Sequence, residues 1–352
     1  MALPRRSLAM LGLSVAVLAL FVWFMGPASV LAALSGADPV WAVVAVCAGL
    51  SAVVAWAMVF RLLVGTDGPT GSRVDSVTLY AAATFPKNVL PAGHATGPVL
   101  TAYLFSKRLD REYVPTLALV GMGELVNSLV SVALAVVGLG GLLALTPPSP
   151  QRSALAGGVA VTVAVLGVVG AVVYLRRDVL RALVAAGAYL LRSTLGRLSG
   201  RVRTALAPDR IERGTARLGA TLRRASTLRR TLALATALSL AGWFGFVLAL
   251  YASGLAVGHR SPLALAAFLV PASGVAGAIP LPGGLGGFEI GFTAALVALT
   301  GMAPETAVAA TLLYRVATYW AVTIASGIAA AYVSVDVGRL TEEAPAAETV
   351  VR

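Results

Sequence analysis

The sequence is poor in charged residues: 12% of its 352 residues are Asp, Glu, Lys or Arg, 58% are hydrophobic, and the mean hydropathy is +0.88. Too few polar side chains are present to cover a soluble globule of this size. A single cysteine, Cys47, excludes an intrachain disulfide and a cysteine-based metal site. No HExxH, P-loop or GxGxxG string occurs. We therefore expect no soluble catalytic domain, no cofactor and no bound metal ion.

Long apolar runs recur along the whole chain. A helix needs about 20 apolar residues to cross roughly 30 Å of hydrocarbon, and the sequence offers several stretches of that length. We therefore predict an all-α polytopic membrane protein with about six spanning helices and two shorter, re-entrant broken-helix hairpins. The predicted spans are Leu8–Phe24, Val40–Val64, Val114–Leu145, Ala154–Leu175, Thr231–Val257 and Ala307–Val333.

The first apolar run allows two interpretations. Arg5 and Arg6 precede it, and small residues from Ala28 to Ala33 follow it, which is the composition of a cleaved signal peptide. Further spans follow directly, so a retained first helix explains the run without a cleavage step. We expect the helix to be retained, with the amino terminus in the cytoplasm.

The excess positive charge, +12 for the chain, is concentrated in one segment. Residues 176–230 contain fourteen arginines and three acids, and the positive-inside rule places such a loop in the cytoplasm. Apolar residues at helical spacing from Leu180 to Val202 suit a helix lying on an anionic membrane surface. A solvated basic linker explains the charge equally well. Aromatic residues are scarce in the segment, which argues against nucleic-acid binding.

Two further apolar segments are interrupted by proline and glycine. The first, residues 77–105, is followed by Lys107, Arg108 and Arg111, which the charge rule also places in the cytoplasm. We therefore predict that this segment enters and leaves the membrane on the same side, as a re-entrant hairpin. Pro262–Thr300 has the same interrupted composition and is the second predicted hairpin. Broken backbone at that depth is tolerated only where it is buried in protein or lines a cavity.

The two predicted hairpins resemble each other. LPAGHATG at Leu90–Gly97 has the shape of LPGGLGG at Leu281–Gly287, and Glu124 and Arg315 both lie 33 residues after the proline of their motif. The first hairpin follows a span running inward and the second a span running outward. This pattern predicts an inverted internal repeat, which is typical of transporters whose site lies near the midplane. Chance similarity between two Gly- and Pro-rich stretches is the alternative.

These features divide a single membrane domain into four parts. Two halves, each with one hairpin, flank the arginine-rich loop, and a short tail follows. The bounds are 1–175 for the first half, 176–230 for the loop, 231–335 for the second half and 336–352 for the tail. We expect both termini and the loop in the cytoplasm of a multi-pass cell-membrane protein.

Three ionisable side chains fall inside predicted membrane helices: Glu124, Glu289 and Arg315. Each costs roughly 2.5–3.5 kcal/mol at the centre of a spanning helix, so all three are functional candidates. The glycines before Glu289 allow positive φ and predict that a helix begins at Gly287, where bare N–H groups attract an anion such as a lipid phosphate. The alternatives are that Glu289 only stabilises the helix dipole, and that Glu289 and Arg315 are a structural pair.

The predicted substrate-binding residues come from both hairpins and from the charged helices. They are Pro91, Gly93, His94, Glu124, Pro282, Gly283, Gly284, Gly286, Gly287, Glu289 and Arg315. We expect no catalytic residue among them. His94 lies in a broken loop, where packing or loop hydrogen bonding is commoner than catalysis.

Three motifs resemble a known family. They are PLPGGLGGFE at Pro280–Glu289, LLYRVATYW at Leu312–Trp320, and FPKNVLPAGHATGPVLTAYLFSKR at Phe85–Arg108. All three are similar to the lysylphosphatidylglycerol synthase transmembrane-region family, whose members are often called flippase-like. The resemblance covers about residues 10–335 and implies a helical membrane protein that handles lipid.

The sequence departs from that family's pattern in two respects. The family usually follows the glutamate matching Glu124 with an arginine, and has an aspartate four residues after the glutamate, whereas this chain has Leu125 and Ser128. Any charge network there is therefore thinner. The aminoacyl-transferase domain of the full synthase does not follow, so we expect that this chain alone does not make aminoacylated lipid.

The resemblance and the repeat together predict movement of a lipid or lipid-linked head group between leaflets. Without an ATP-binding motif, movement is expected to be passive or driven by a gradient, with Glu124 and Glu289 as proton or cation sites and Arg315 as phosphate site. Two other classes stay open: an intramembrane transferase, and a non-transporting partner of a membrane enzyme. The expected partners are anionic or lipid-linked membrane lipids, and a glycosyltransferase or aminoacyl-lipid synthase.

Overall fold

The computed structural model of the protein describes residues 27–89, 93–145, 157, 228–274 and 284–342. Within these ranges the chain is helical and contains no strand. Several predictions concern residues outside them: the span Leu8–Phe24, the span Ala154–Leu175 except residue 157, almost all of the arginine-rich loop, and Pro91, Pro282 and Gly283. The division of the chain into repeat halves stays a prediction.

The described helices differ widely in length. In chain order they are α1 Pro27–Ser35, α2 Pro39–Val64, α3 Arg73–Val89, α4 Gly93–Arg108, α5 Tyr113–Leu145, α6 Arg229–Ala256, α7 Leu263–Ala272, α8 Gly287–Thr300, α9 Pro304–Arg315 and α10 Ala321–Glu342. A π-helical turn, Val316–Trp320, joins α9 to α10.

Four helical segments are long and apolar enough to cross a membrane. They are Pro39–Asp67, Tyr113–Leu145, Arg229–Ala256 and Pro304–Val333. Each agrees within a few residues with a span predicted from hydropathy. The described part of the chain is therefore that of an all-helical, polytopic membrane protein, as predicted.

Helices α2 and α6 form an antiparallel pair at the centre of the bundle. The Asp38 side chain accepts a hydrogen bond from the Val40 amide (2.8 Å) and caps α2, while the Asp38 amide donates to the carbonyl of Ala256 at the end of α6 (2.8 Å). Glycine lets the two backbones approach, since a Cβ at Gly245 would lie 2.8 Å from the carbonyl oxygen of Ala48. Small residues of this kind are typical of helix contacts in membranes.

Helices α3 and α4 form a hairpin that occupies the place of the first predicted re-entrant segment. The start of α3 and the end of α4 meet and form the outer end of the hairpin, because a guanidinium nitrogen of Arg108 lies 3.7 Å from a carboxylate oxygen of Asp75. Hydrogen bonds from the Ser72 hydroxyl and backbone, together with Arg108, hold the pKa of Asp75 below its ordinary value. The end of α3 and the start of α4 form the inner end of the hairpin, and there the stem of Lys87 packs on Gly97. The two helices are therefore antiparallel.

Basic side chains hold the loops at the outer end of this hairpin. One guanidinium nitrogen of Arg61 donates to the carbonyls of Thr70 (3.2 Å) and Ser72 (2.8 Å), and Arg111 donates to the carbonyl of Val64 (2.7 Å). Loop carbonyls that would otherwise lack partners are thereby satisfied.

Helices α7 and α8 are the two described arms of the second predicted hairpin, and their outer ends, the start of α7 and the end of α8, lie at the other end of the bundle. Helix α7 packs on α5 through Gly138, where a Cβ would lie 2.4 Å from the Phe268 nitrogen. Helix α8 runs antiparallel to α9, and the hydroxyls of Thr293 and Thr311 meet between them at 3.1 Å. The inner ends of both hairpins thus point into the bundle from opposite ends.

Among the described glycines, Gly49 leaves very little room for a side chain, which generates a prediction. A Cβ at Gly49 in α2 would lie 2.3 Å from the carbonyl oxygen of Ala317 in the π-helical turn. Gly49→Ala should therefore force α2 away from that turn and destabilise the protein by about 1–3 kcal/mol. The measurement is the melting temperature in detergent.

Gly121→Ala is the matched control, because a Cβ at this position in α5 meets nothing within 4 Å. Alanine favours a helix interior over glycine by roughly 0.5–1 kcal/mol, so this variant should melt at the same temperature or slightly higher. Equal melting temperatures for Gly49→Ala and the unaltered protein would contradict the packing of α2 against the π-helical turn.

Candidate functional site

A buried ion pair joins α8 to α9. The Nε atom of Arg315, the last residue of α9, donates to Oε1 of Glu289 at 2.7 Å. Only 1% of Glu289 and 6% of Arg315 is exposed. The second carboxylate oxygen of Glu289 accepts a hydrogen bond from the backbone amide of Gly286 at 2.6 Å. Both oxygens of the buried carboxylate are therefore satisfied within the protein.

Glycines place Glu289 at the start of α8. Gly284 has φ +65° and Gly286 has φ +85°, values that residues other than glycine rarely adopt. The helix begins at Gly287, as the sequence predicts, with Glu289 as its third residue. From there the carboxylate reaches back to the Gly286 amide, which is one half of a capping box. The acid also lies against the positive end of the helix dipole.

Aromatic rings enclose the guanidinium group. The central carbon of Arg315 lies 4.7 Å from the ring centroid of Phe288 and 4.1 Å from that of Tyr319. Phe292 extends the aromatic layer, stacked on Phe288 at 4.8 Å and on Tyr314 at 5.2 Å. Such cation–π contacts stabilise a desolvated guanidinium. The rings also keep water from the ion pair, which strengthens its electrostatic interaction.

The first hairpin reaches the same place from the other end of the bundle. The hydroxyl of Tyr319 donates to the backbone carbonyl of Asn88 at 3.2 Å, and the Asn88 amide donates to the hydroxyl of Thr323 at 2.9 Å. One turn back, Phe85 packs on Gly327. Tyr319 therefore contacts Asn88 of the first hairpin through its hydroxyl and Arg315 through its ring.

Glu124 lies apart from the ion pair. It is half-buried on α5, within electrostatic range of Tyr80 on α3, and Ser128 donates to its backbone carbonyl at 2.8 Å. One turn later, Asn127 accepts hydrogen bonds from Ser239 and Trp243 of α6. Within the ranges described, the structure does not bring Glu124 into contact with Arg315, and no cluster of three His, Cys, Asp or Glu residues could hold a metal ion.

The other predicted site residues divide into two groups. Gly284, Gly286 and Gly287 lie directly before the ion pair, and Gly93 begins α4. The predictions for the side chain of His94 and for Pro91, Pro282 and Gly283 fall outside what the structure describes.

Sequence reasoning missed the aromatic partners of Arg315 and the contact between the first hairpin and Tyr319. Tyr319 follows Arg315 by four residues, a spacing that puts two side chains on one helical face, so a signal was present. Phe288 adjoins Glu289 and carried a weaker signal. Asn88 carried none, because its partners lie more than 230 residues away.

The backbone at Gly286 supports the ion pair and generates a prediction. Gly286→Ala places a Cβ on a residue with φ +85°, which costs about 1–2 kcal/mol, and any shift weakens the amide bond to Glu289. The variant should melt at a lower temperature. Gly291→Ala is the control, because a Cβ at that position in α8 meets nothing within 4 Å. If Gly286→Ala were as stable as Gly291→Ala, the glycine would not be required for positioning Glu289.

Comparison with known proteins agrees with the resemblance of the motifs. The model of the lysylphosphatidylglycerol synthase TM region matches residues 10–326. No curated protein and no solved structure matches the chain. The matched range covers most of the sequence and contains both hairpins and the Glu289–Arg315 pair. The chain therefore belongs to the lysylphosphatidylglycerol synthase transmembrane-region family.

Proposed function

We propose that the protein moves a phosphate-bearing lipid, or a lipid-linked head group, between the leaflets of the cell membrane without ATP hydrolysis. The observation that carries the proposal is the buried Arg315–Glu289 pair, formed where the second hairpin meets the end of α9 and linked to the first hairpin through Tyr319. Membership of the family supports a membrane protein of lipid modification or transport. An ionisable pair at this depth is a functional site by default.

In the proposed mechanism, a lipid phosphate and the Glu289 carboxylate compete for the guanidinium group of Arg315. The guanidinium group is a planar fork that can grip phosphate through two N–H groups, and Glu289 holds its Nε in the structure. A lipid phosphate entering the site exchanges with the Glu289 carboxylate. The displaced carboxylate takes up a proton, because an unpaired buried carboxylate is strongly disfavoured. Lipid movement is thereby coupled to proton binding at Glu289.

The arrangement of charge supports an orientation. Basic residues gather at the outer end of the first hairpin: Arg61, Arg73, Lys107, Arg108, Arg111, Arg229 and Arg230. By the positive-inside rule this end faces the cytoplasm. Helices α3 and α4, of 17 and 16 residues, are each about 25 Å long and fall short of a 30 Å span. In the proposal both hairpins are re-entrant, the first open to the cytoplasm and the second to the outside.

A second function is favoured by one feature of the site. Both oxygens of Glu289 are bound within the protein, as in a clamp that only locks α8 to α9. Such a clamp suits a non-transporting partner of a glycosyltransferase or aminoacyl-lipid synthase. An intramembrane transferase has less support, since Glu124 and Glu289 do not form an acid/base pair. Lipid scrambling by the purified protein in liposomes separates transport from both alternatives.

Charge-removing variants separate a transport site from a structural clamp. Arg315→Gln and Glu289→Gln should each strand a buried charge and cost about 3–5 kcal/mol, whereas the double variant should recover stability. We expect the double variant to be stable and inactive, because it lacks the guanidinium fork that grips phosphate in two places. Thermal stability in detergent is measured beside lipid translocation in liposomes.

Arg315→Lys completes the series. Lysine keeps the charge but lacks the planar fork, so translocation should fall although folding is retained. Recovery of both stability and translocation in the double variant would show that the pair is structural and would refute the transport-site assignment.

Single cysteines test the re-entrant topology. In a Cys47→Ala background, Arg73→Cys and Lys107→Cys lie at the two outer ends of the first hairpin, and Arg260→Cys and Ala303→Cys flank the second; all four positions are exposed. An impermeant thiol reagent should label the first two from the cytoplasm and the last two from outside. Labelling of positions 73 and 107 from opposite faces would mean that the first hairpin crosses the membrane.

A further inference from the structure

Lysine is rare in this chain, and its placement is uneven. Only Lys87 and Lys107 occur among 27 basic residues, and all others are arginine. Both lysines belong to the first hairpin. Lys107 is exposed in the last turn of α4, at the basic end of the bundle. Lys87 is half-buried in the last turn of α3, near the inner end of the hairpin.

Lys87 lies deep in the bundle. It follows Asp75 by twelve residues along α3, which is about 18 Å of helix. A lysine side chain is far shorter than this distance, so its ammonium group does not reach the Asp75–Arg108 end by snorkelling. The neighbouring residue, Asn88, contacts Tyr319 and Thr323. Lys87 therefore lies near the level of Tyr319, whose ring contacts Arg315.

The side chain of Lys87 is held by its stem. A Cβ at Gly97 would lie 3.0 Å from Cδ and 3.3 Å from Cγ of Lys87. The absence of a side chain at Gly97 therefore provides the space in which the stem of Lys87 lies. Stem packing of this kind fixes the direction of a long side chain and lowers the entropy lost when its ammonium group binds a ligand.

The charge of Lys87 has no partner among the described carboxylates. Asp75 and Glu289 pair with Arg108 and Arg315. Glu124 lies at the level of Tyr80, seven residues or about 10 Å nearer the basic end. Because Glu289 balances the charge of Arg315, Lys87 is, among the described residues, the one whose charge is not balanced near the inner end of the hairpin. A cation in low dielectric requires an anion.

We propose that Lys87 binds the phosphate of a lipid head group at the inner end of the first hairpin. The ligand class is a phosphate monoester or diester carried by a lipid. This inference rests on the proposed function and adds a second cation to its site, contributed by the half of the chain that lacks Arg315. Lys87 meets the phosphate as a point charge, before the lipid reaches the fork of Arg315.

Amine labelling tests the inference directly, because two lysines are resolved separately by peptide mass spectrometry. The protein is placed in nanodiscs of digalactosyldiacylglycerol, which has no phosphate. One arm adds phosphatidylglycerol, a second adds polyprenyl phosphate, and a third adds inorganic phosphate to the buffer. A charged hydrogen bond to lipid phosphate should slow the labelling of Lys87 by roughly tenfold in the first or second arm. Labelling of Lys107 should change much less.

The third arm identifies the source of the phosphate. Equal protection of Lys87 by inorganic phosphate alone would mean that the ligand is a soluble anion, and would overturn the assignment to a lipid. Labelling of Lys87 that no arm slows would overturn phosphate binding altogether.

Translocation in liposomes supplies a second readout. Lys87→Met keeps an unbranched stem beside Gly97, so the variant should fold while lipid movement falls by roughly tenfold. Lys107→Gln, at the exposed end of the same hairpin, should move lipid at the unaltered rate. Full activity of Lys87→Met would refute a role in movement. If the unaltered protein moved no lipid, the proposed function would fail, and the labelling arms would still decide whether Lys87 binds phosphate.

Discussion

A guanidinium group cannot enter an apolar interior alone, and the structure around Arg315 follows from that constraint. The carboxylate of Glu289 must lie within hydrogen-bond distance, so α8 has to begin beside the end of α9. This start requires a backbone that turns through two positive φ angles, at Gly284 and Gly286. The rings of Phe288 and Tyr319 lie against the guanidinium group. The ion pair, the glycine turn before α8 and the aromatic rings therefore depend on one another.

A second constraint acts on the interrupted hairpins. Backbone groups freed by a break in a helix need partners within the protein at membrane depth. Both hairpins are accordingly packed inside the bundle, the first on α10 through Phe85 and Gly327, and the second on α5 through Gly138 and Phe268. Glycine at these contacts brings each hairpin close to the helix on which it packs. The contact between Asn88 and Tyr319 lies about one turn from Phe85 and belongs to the packing of the first hairpin.

The sequence predicts the parts of this architecture that depend on local composition. Hydropathy alone located the four described spans, and the glycine run located the start of α8 at Gly287. Pairing of Glu289 with Arg315 was one of two interpretations, since spacing along a chain does not determine distance between helices. The contact between Asn88 and Tyr319 joins residues 231 positions apart, and the π-helical turn lies against Gly49 of the distant helix α2. Neither has a local signal.

The residues that lie between the Glu289–Arg315 pair and the two ends of the bundle differ in charge. From the basic end, Asp75 and Arg108 lie outermost, Glu124 lies deeper at the level of Tyr80, and Lys87 lies deeper still, so charged groups occur at successive depths. From the other end, the described contacts that lead to Arg315 are aromatic rings and the Thr293–Thr311 hydroxyl pair. A phosphate is stabilised by cations along its path and strongly disfavoured where none is present. Under the proposed function, Lys87 would stabilise a phosphate head group that approaches Arg315 along the first hairpin.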